Sequence, residues 1–280
     1  MRKEMRKWIL YQLRSSSLWP FTELQRTKDE LQRMRDRYLS LIADSLLGII
    51  YEDPGIPLFG EEIGFNKELR EYGGDWPSRS CTMIGAKRMA NVRMLVENVI
   101  QNRIPGDLIE TGVWRGGACI FMRAILTAYN ITDRRVWVAD SFEGLPPPNP
   151  EQYPSDEGSI FHTFTELAVS VEEVRNNFEK YGLLDEQVVF LKGMFQSTLP
   201  NAPVERLALL RIDGDMYEST IVPLNSLYDK VSIGGYIILD DHFLVQPANE
   251  AFQDFIAARK ISPQLFEIDG VGAYWQKTSA

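Results

Sequence analysis

"DLIETGVWRGGACIFMRAILTAYNITDRRVWVAD", residues 107–140, reads as strand, glycine turn, helix and strand. The apolar run "DLIETG" is short and strand-like, "GACIFMRAILTAY" is a mostly apolar helix, and "RRVWVADSF" is a second strand. Towards the C terminus the alternation continues. "SVEEVRNNFEKYG" is a helix with Ser170 and Glu173 as a capping box, and "QVVFLKG" and "RLALLRID" are strands. "ESTIVPLNSLYDKV" is a helix, "GGYIILDD" a strand, "NEAFQDFIAARK" a helix, and "LFEI" and "GAYWQ" two short final strands. Strands alternating with helices predict an α/β fold, a doubly wound, mostly parallel Rossmann-like sheet. The closing pair of strands predicts an antiparallel hairpin at its end.

Towards the N terminus the pattern changes. "TKDELQRMRDRYLSLIADSLLGII" carries Leu31, Met34, Tyr38, Leu41 and Ile42 at helical spacing, with Thr27 and Glu30 placed to cap its start. "YEDPGIPLFG" then breaks the helix. Residues 1–75 are therefore expected to be a helical extension serving as a lid or dimerisation segment, with the main domain over 76–280. The proline-rich "EGLPPPNPEQYPSDEGSIFHT", residues 143–163, is too long and irregular for a plain connection, and such loops often cover a site.

Composition narrows the classes of function. At 280 residues, with 44% hydrophobic and 25% charged residues, the chain can bury a full-sized core. A net charge of -9 argues against nucleic acid as a partner. No apolar run reaches the roughly 18 residues of a membrane helix, and the basic start "MRKEMRKWILYQLRSSS" is too interrupted for a secretory signal. Cys81 and Cys119, the two cysteines, make neither a disulfide framework nor a metal cluster. The expectation is a cytoplasmic protein with no membrane partner.

The chemistry gathers at strand ends. In "ETGVWRGG", glycines let the backbone approach a ligand, and the following helix N-terminus adds positive potential. The dinucleotide fingerprint G-x-G-x-x-G requires glycine at position 114, which is Trp114. Glu110, Gly112 and Gly116 instead resemble the acidic-x-Gly-x-x-x-Gly loop of S-adenosylmethionine-dependent methyltransferases, a donor whose cationic groups favour carboxylates. A tight strand-to-helix turn alone is the plainer reading of the glycines, and it is disfavoured because Asp140 also sits where the donor reading needs it. Asp140, ending the second strand, stands where an acid accepts ribose hydroxyls.

Asp213 and Asp215 follow one strand, and Asp240 and Asp241 end the next. Neighbouring strand ends lie about 5 Å apart, so these acids converge on the ligand edge of the sheet. Carboxylates so packed repel one another unless a cation lies between them, and an all-oxygen set suits Mg²⁺. Two plainer readings stand beside this: Asp215 with Glu218 fits a helix-capping pattern, and an Asp-Asp pair can be a solvated turn. His242 follows directly on Asp241 and is a reserve proton acceptor; His162 lies in the proline-rich loop.

"ETGVWRGG", "VADSFEGLP", "VSVEEVRNNFEKYGLLDEQVVFLKGMFQSTLP", "LALLRIDGDMYEST" and "GGYIILDDH" together resemble the TylF (macrocin) O-methyltransferase family, over about Leu46 to Gln276. The resemblance implies a class I S-adenosylmethionine methyltransferase fold, Mg²⁺ as second cofactor, and a sugar hydroxyl of a glycosylated natural product as acceptor. It implies Asp213, Asp240 and Asp241 as metal ligands and Asp215 as general base, with a histidine taking that role in some relatives. Thr82 and Met83 would line the donor site with Glu110, Thr111, Gly112, Val113, Trp114, Gly116, Gly117 and Ala118. Asp140, Ser141 and Phe142, then Gly193, Met194 and Phe195, would complete it. A homodimer or higher homo-oligomer is expected. A catechol-type O-methyltransferase is the rival, disfavoured because that family usually has asparagine where this chain has His242. A non-catalytic module of the same fold is the second rival.

Overall fold

The computed structural model describes residues 25–58, 60 and 63–279. It divides into two compact units, residues up to Leu41 and residues from Ile42. The helical residues 25–46 (α1) are already in helix at 25, so Thr27 and Glu30 are not its start as expected. Glu30 instead pairs with Arg26 one turn back at 3.0 Å. In the single chain Leu31, Met34 and Leu41 are exposed on α1. Residues 42–75 belong to the larger unit, which moves the boundary from the expected position near 75 to 41. Asp53 shows why: it is fully buried and accepts hydrogen bonds from Ser78 Oγ, Arg79 N and Ser80 N, which stitch the segment to the main domain.

The larger unit holds a seven-stranded sheet in the order β3-β2-β1-β4-β5-β7-β6. Its strands are β1 (Asp107–Thr111), β2 (Val136–Asp140), β3 (Val188–Lys192), β4 (Leu207–Ile212), β5 (Val231–Leu239), β6 (Phe266–Glu267) and β7 (Ala273–Gln276). The helices after α1 are α2 (Lys67–Tyr72), α3 (Gly85–Gln101), α4 (Gly117–Ala128), α5 (Val171–Lys180), α6 (Phe195–Thr198), α7 (Tyr217–Leu227) and α8 (Gln246–Arg259). Strands β1 to β5 pair in parallel, and β7 runs antiparallel to β5 and β6, the expected hairpin. No helix among the described residues is long and apolar enough to cross a membrane.

Burial explains the strand sequences. Every residue of β4 is buried, as befits a central parallel strand covered on both faces. The helix α4 is buried from Gly117 to Leu126, which accounts for its nearly all-round apolar sequence. Strand order reverses between β1 and β4, so a crevice opens there at the carboxyl ends of the strands.

The start of α7 departs from expectation. Its N-cap is Met216, and Asp215 makes no capping bond. The cap comes from the proline-rich loop, whose only regular pieces are the 3-10 turns Pro154–Asp156 and Phe161–Thr163. There the buried Asp156 accepts hydrogen bonds from Tyr217 N at 2.7 Å and Glu218 N at 3.1 Å. Asp156→Ala should cost about 1–2 kcal/mol of stability, read by urea denaturation, and Asp156→Asn should recover most of it. Equal stability of wild type and Asp156→Ala would show that the cap contributes nothing.

Candidate active site

The ends of β1, β2, β4 and β5 each deliver an acid or a glycine to the crevice. After β1, Gly112 turns with φ 85°, and a Cβ built there would lie 1.6 Å from the carbonyl oxygen of Asp213. The β1 and β4 ends thus meet backbone to backbone, which only glycine permits. Asp140 braces the same loop: its carboxylate accepts from Val113 N and from Phe142 N, both at 2.7 Å. Trp114 has a left-handed backbone, φ 47°, a conformation costing roughly 1–2 kcal/mol for a residue with a Cβ. Its indole N–H donates to Glu166 O at 2.8 Å, fastening the glycine loop to the 3-10 turn Thr165–Leu167 that follows the proline-rich loop.

The carboxylates of Asp213, Asp240 and Asp241 each offer an oxygen, all within 4.8 Å of one another. Two arginines hold this cluster, Arg211 from within the sheet and Arg88 from the cleft wall. Arg211 is fully buried in β4; its Nη1 donates to Glu110 Oε1 and to Asp213 Oδ2, and its Nη2 donates to Asp240 Oδ1. Arg88, on α3, donates to Asp240 Oδ2. Asp215, left-handed at φ 62°, donates its backbone N–H to Asp241 Oδ2 at 3.1 Å.

The electrostatics follow from these placements. Burial, then the charges of Asp213 and Asp240, push the Asp215 carboxyl up to about 7. Burial and the Asp240 charge raise Asp213 to about 6, with Arg211 opposing. Asp241 is raised well above the usual carboxylate range by burial and by its three aspartate neighbours. Burial lifts Glu110 to about 7 against the pull of Arg211. The arginines therefore neutralise only part of the charge, and the acids on the cleft side still repel one another. An all-oxygen donor set in that state fits a hard divalent cation such as Mg²⁺.

Most of the residues picked out from sequence line one cleft. Thr82, Met83, Glu110, Gly112, Val113, Trp114, Ala118, Asp140, Ser141, Met194 and Phe195 face it together with Asp213, Asp215, Asp240 and Asp241. Thr111, Gly116, Gly117, Phe142 and Gly193 do not line it; they shape the turns behind it. Thr111 is buried and donates its hydroxyl to Arg211 O, while Gly117 N–H donates to Cys81 O at 2.9 Å. Gly116 turns with φ 85° against Val174, and Phe142 packs on the Phe190 ring. Gly193 N–H donates to Asp140 O.

His242 is also absent from the cleft lining. It is buried, its ring edge-on to Phe243 and Phe252 at 4.5 and 5.1 Å, with Nδ1 unpartnered among the described residues. The reserve role for His242 therefore lacks geometry, and burial lowers its basicity further.

Sequence reasoning missed the two arginines and much of the rim. Arg211 had a legible signal: it is the one charged residue within the apolar run "LALLRI". Trp76, Ile84, Leu167, Gln196 and Leu244 also line the cleft, drawn from segments with no local pattern of their own, and Leu145 and Pro146 join them from the proline-rich loop that was expected to cover a site.

Residues 34–277 match the family model described as Macrocin-O-methyltransferase (TylF). Demethyldecarbamoylnovobiocin O-methyltransferase of Streptomyces niveus is 50% identical over 244 residues, covering 86% of this chain and 93% of that one. The 8-demethyl-8-(2,3-dimethoxy-alpha-L-rhamnosyl)-tetracenomycin-C 4'-O-methyltransferase of Streptomyces olivaceus is 47% identical over 247 residues, covering 88% and 94%. Among solved structures, the O-methyltransferase NovP superposes with a TM-score of 0.84 at 50% identity, covering 88% of this chain and all of that one.

Proposed function

We propose that this chain, which belongs to the macrocin O-methyltransferase (TylF) family, methylates a sugar hydroxyl of a glycosylated natural product, using S-adenosylmethionine and Mg²⁺. The fold is that of the class I methyltransferases, and the chain is an O-methyltransferase. The observation that carries the finer reading is a single cleft. It brings the glycine loop and Asp140 together with Asp213, Asp215, Asp240 and Asp241. The sugar comes from the relatives: the tetracenomycin enzyme's name places its methyl on the 4'-oxygen of a rhamnosyl compound.

In this reading the chain's residues divide the work. The 110–118 loop, Asp140 and the Met194–Phe195 stretch receive the donor. Asp140 presents to the ribose whatever acceptor capacity its two backbone hydrogen bonds leave free. Asp213, Asp240 and Asp241 would hold Mg²⁺, which would supply Lewis acidity favouring ionisation of the acceptor hydroxyl. S-adenosylmethionine supplies the electrophilic methyl group. Asp215 takes the hydroxyl proton as the oxygen bonds to the methyl carbon and the carbon–sulfur bond breaks, its electron pair staying on sulfur. A cleft wall of Trp76, Leu145, Pro146 and Leu244 turns apolar surface towards the reacting groups, which suits the exclusion of water.

The test is transfer from S-adenosylmethionine to a panel of deoxysugar glycosides, with a catechol as control, read by mass spectrometry as the gain of one methyl on the sugar fragment. Chelation should abolish turnover and added Mg²⁺ restore it. Asp241→Asn should raise the Mg²⁺ concentration needed by at least about tenfold. Undiminished turnover in the presence of chelator would remove the metal from the mechanism, and transfer to the catechol alone would remove the sugar.

A further inference from the structure

The terminal hairpin, to which the proposed reaction assigns no role, reaches the metal ligands through two side chains. Asp269 lies in the turn between β6 and β7, its side chain fully buried. Its Oδ1 accepts hydrogen bonds from Val271 N at 3.1 Å and Gly272 N at 3.0 Å, which shape the turn. Its Oδ2 accepts from Arg88 Nε at 2.9 Å. Arg88 in turn donates from Nη1 to Asp240 Oδ2 and from Nη2 to Tyr72 O at 3.2 Å. The turn is fastened to the Asp240–Asp241 segment independently, because Phe243 N donates to Val271 O at 2.8 Å. Gly272 packs close by: a Cβ there would lie 3.2 Å from Asp240 O and 3.3 Å from Arg88 Cδ.

Both oxygens of Asp240 are thus gripped by guanidinium groups, Arg211 on Oδ1 and Arg88 on Oδ2. A carboxylate has about four acceptor sites, so each oxygen keeps one for a further partner. Of the two grips, Arg211 is fixed within the sheet, whereas Arg88 is aimed by a residue from the far end of the chain.

We propose that Arg88 is a positioning residue for the metal site, held in register by Asp269 of the terminal hairpin, and that the pair fixes the Asp240 carboxylate and so sets Mg²⁺ affinity. The inference rests on the Mg²⁺ reading of the Asp213, Asp240 and Asp241 cluster. A fork is needed for this role, because one side chain must meet Asp269, Asp240 and Tyr72 O together. A lysine carries the same charge but presents a single nitrogen. Groups that hydrogen-bond to metal ligands and so orient them typically govern about 10–100-fold in affinity.

Two variants of the full chain separate position from charge and from folding. Asp269→Asn keeps an oxygen for the Val271 and Gly272 N–H groups but turns an amide NH₂ towards Arg88. Arg88→Lys keeps the charge and loses the fork. Mg²⁺ binding is measured by calorimetry on the S-adenosylhomocysteine-saturated protein, alongside the affinity for S-adenosylhomocysteine and the thermal midpoint. The expected result is Mg²⁺ affinity weakened about 10–100-fold in both variants, with S-adenosylhomocysteine affinity within about twofold of wild type. Wild-type Mg²⁺ affinity in Arg88→Lys would show that charge alone matters and overturn the proposal. So would equal loss of Mg²⁺ and S-adenosylhomocysteine binding with a lowered thermal midpoint, the mark of a purely structural role. Absence of Mg²⁺ binding by the wild type would instead sink the metal reading on which the proposal rests.

Discussion

Asp215→Asn is expected to lower turnover about 10²–10⁴-fold, equivalent to roughly 3–5 kcal/mol of transition-state stabilisation, while leaving donor and Mg²⁺ binding within a few-fold. Asparagine preserves shape and the backbone N–H that reaches Asp241 Oδ2, but it cannot take a proton. The structure removes the alternative job for this residue, since Asp156 caps α7 and Asp215 does not. The environment also suits a base. Burial and the Asp213 and Asp240 charges push its carboxyl to about 7, nearer to the acceptor hydroxyl than an ordinary carboxylate.

That ionisation sets the sign of the pH effect. In the proposed base role Asp215 must be ionised, so the wild-type rate should rise with pH as its proton leaves. A cation bound beside it stabilises the ionised form and draws the midpoint below the value of about 7 that the protein alone gives. In Asp215→Asn that limb should vanish. Steady-state kinetics across pH, with donor affinity measured by calorimetry, decide the matter. Near-normal turnover with an unchanged acid limb would take the base role from Asp215.

Gly112→Ala carries the second large effect, and it acts on the fold rather than the chemistry. The new Cβ would lie 1.6 Å from Asp213 O, and the backbone is left-handed at φ 85°. The obstructing atom is main chain between two central strands, and alanine has no rotamer by which to escape. Gly112 N–H also donates to Ala139 O at 2.9 Å, so the turn is held on both sides. Strain of about 1–3 kcal/mol from the backbone conformation combines with a clash that must push β1 and β4 apart. A total loss of about 4 kcal/mol or more is expected. Gly182→Ala is the control: it has a similar φ of 66° but nothing within 4 Å of the added carbon. It should cost only about 1–2 kcal/mol. Chemical denaturation of both variants measures the difference, and equal costs would mean that the β1–β4 contact yields easily.

Much of this could be read from sequence because the governing patterns are local. The alternation of apolar strands and helices, the glycine turn at 112–117 and the acids at strand ends each lie within a few residues of one another. What escaped was set by partners far along the chain. Asp156 caps a helix that starts 61 residues later, and nothing in "YPSDEG" announces it. Arg211 looks out of place in "LALLRI" until Glu110, Asp213 and Asp240 are seen around it. Trp114 occupies a left-handed position usually given to glycine, because its indole gains a hydrogen bond to Glu166 O. The Thr27–Glu30 pair misled for a different reason. It is a genuine capping pattern, but the helix is already under way before it. Residues 1–24, including the basic start, lie outside the described residues.

The cap on α7 has a consequence for anyone who would graft loops between relatives. Leu145 and Pro146 line the cleft, and ten residues on the same loop supplies Asp156 to the helix that follows Asp215. A chimera that exchanges the whole segment to change the cleft lining would also exchange the anchor of that helix. Crossover points placed before Asp156, or donor loops chosen to carry an acid at that position, keep the two inheritances apart.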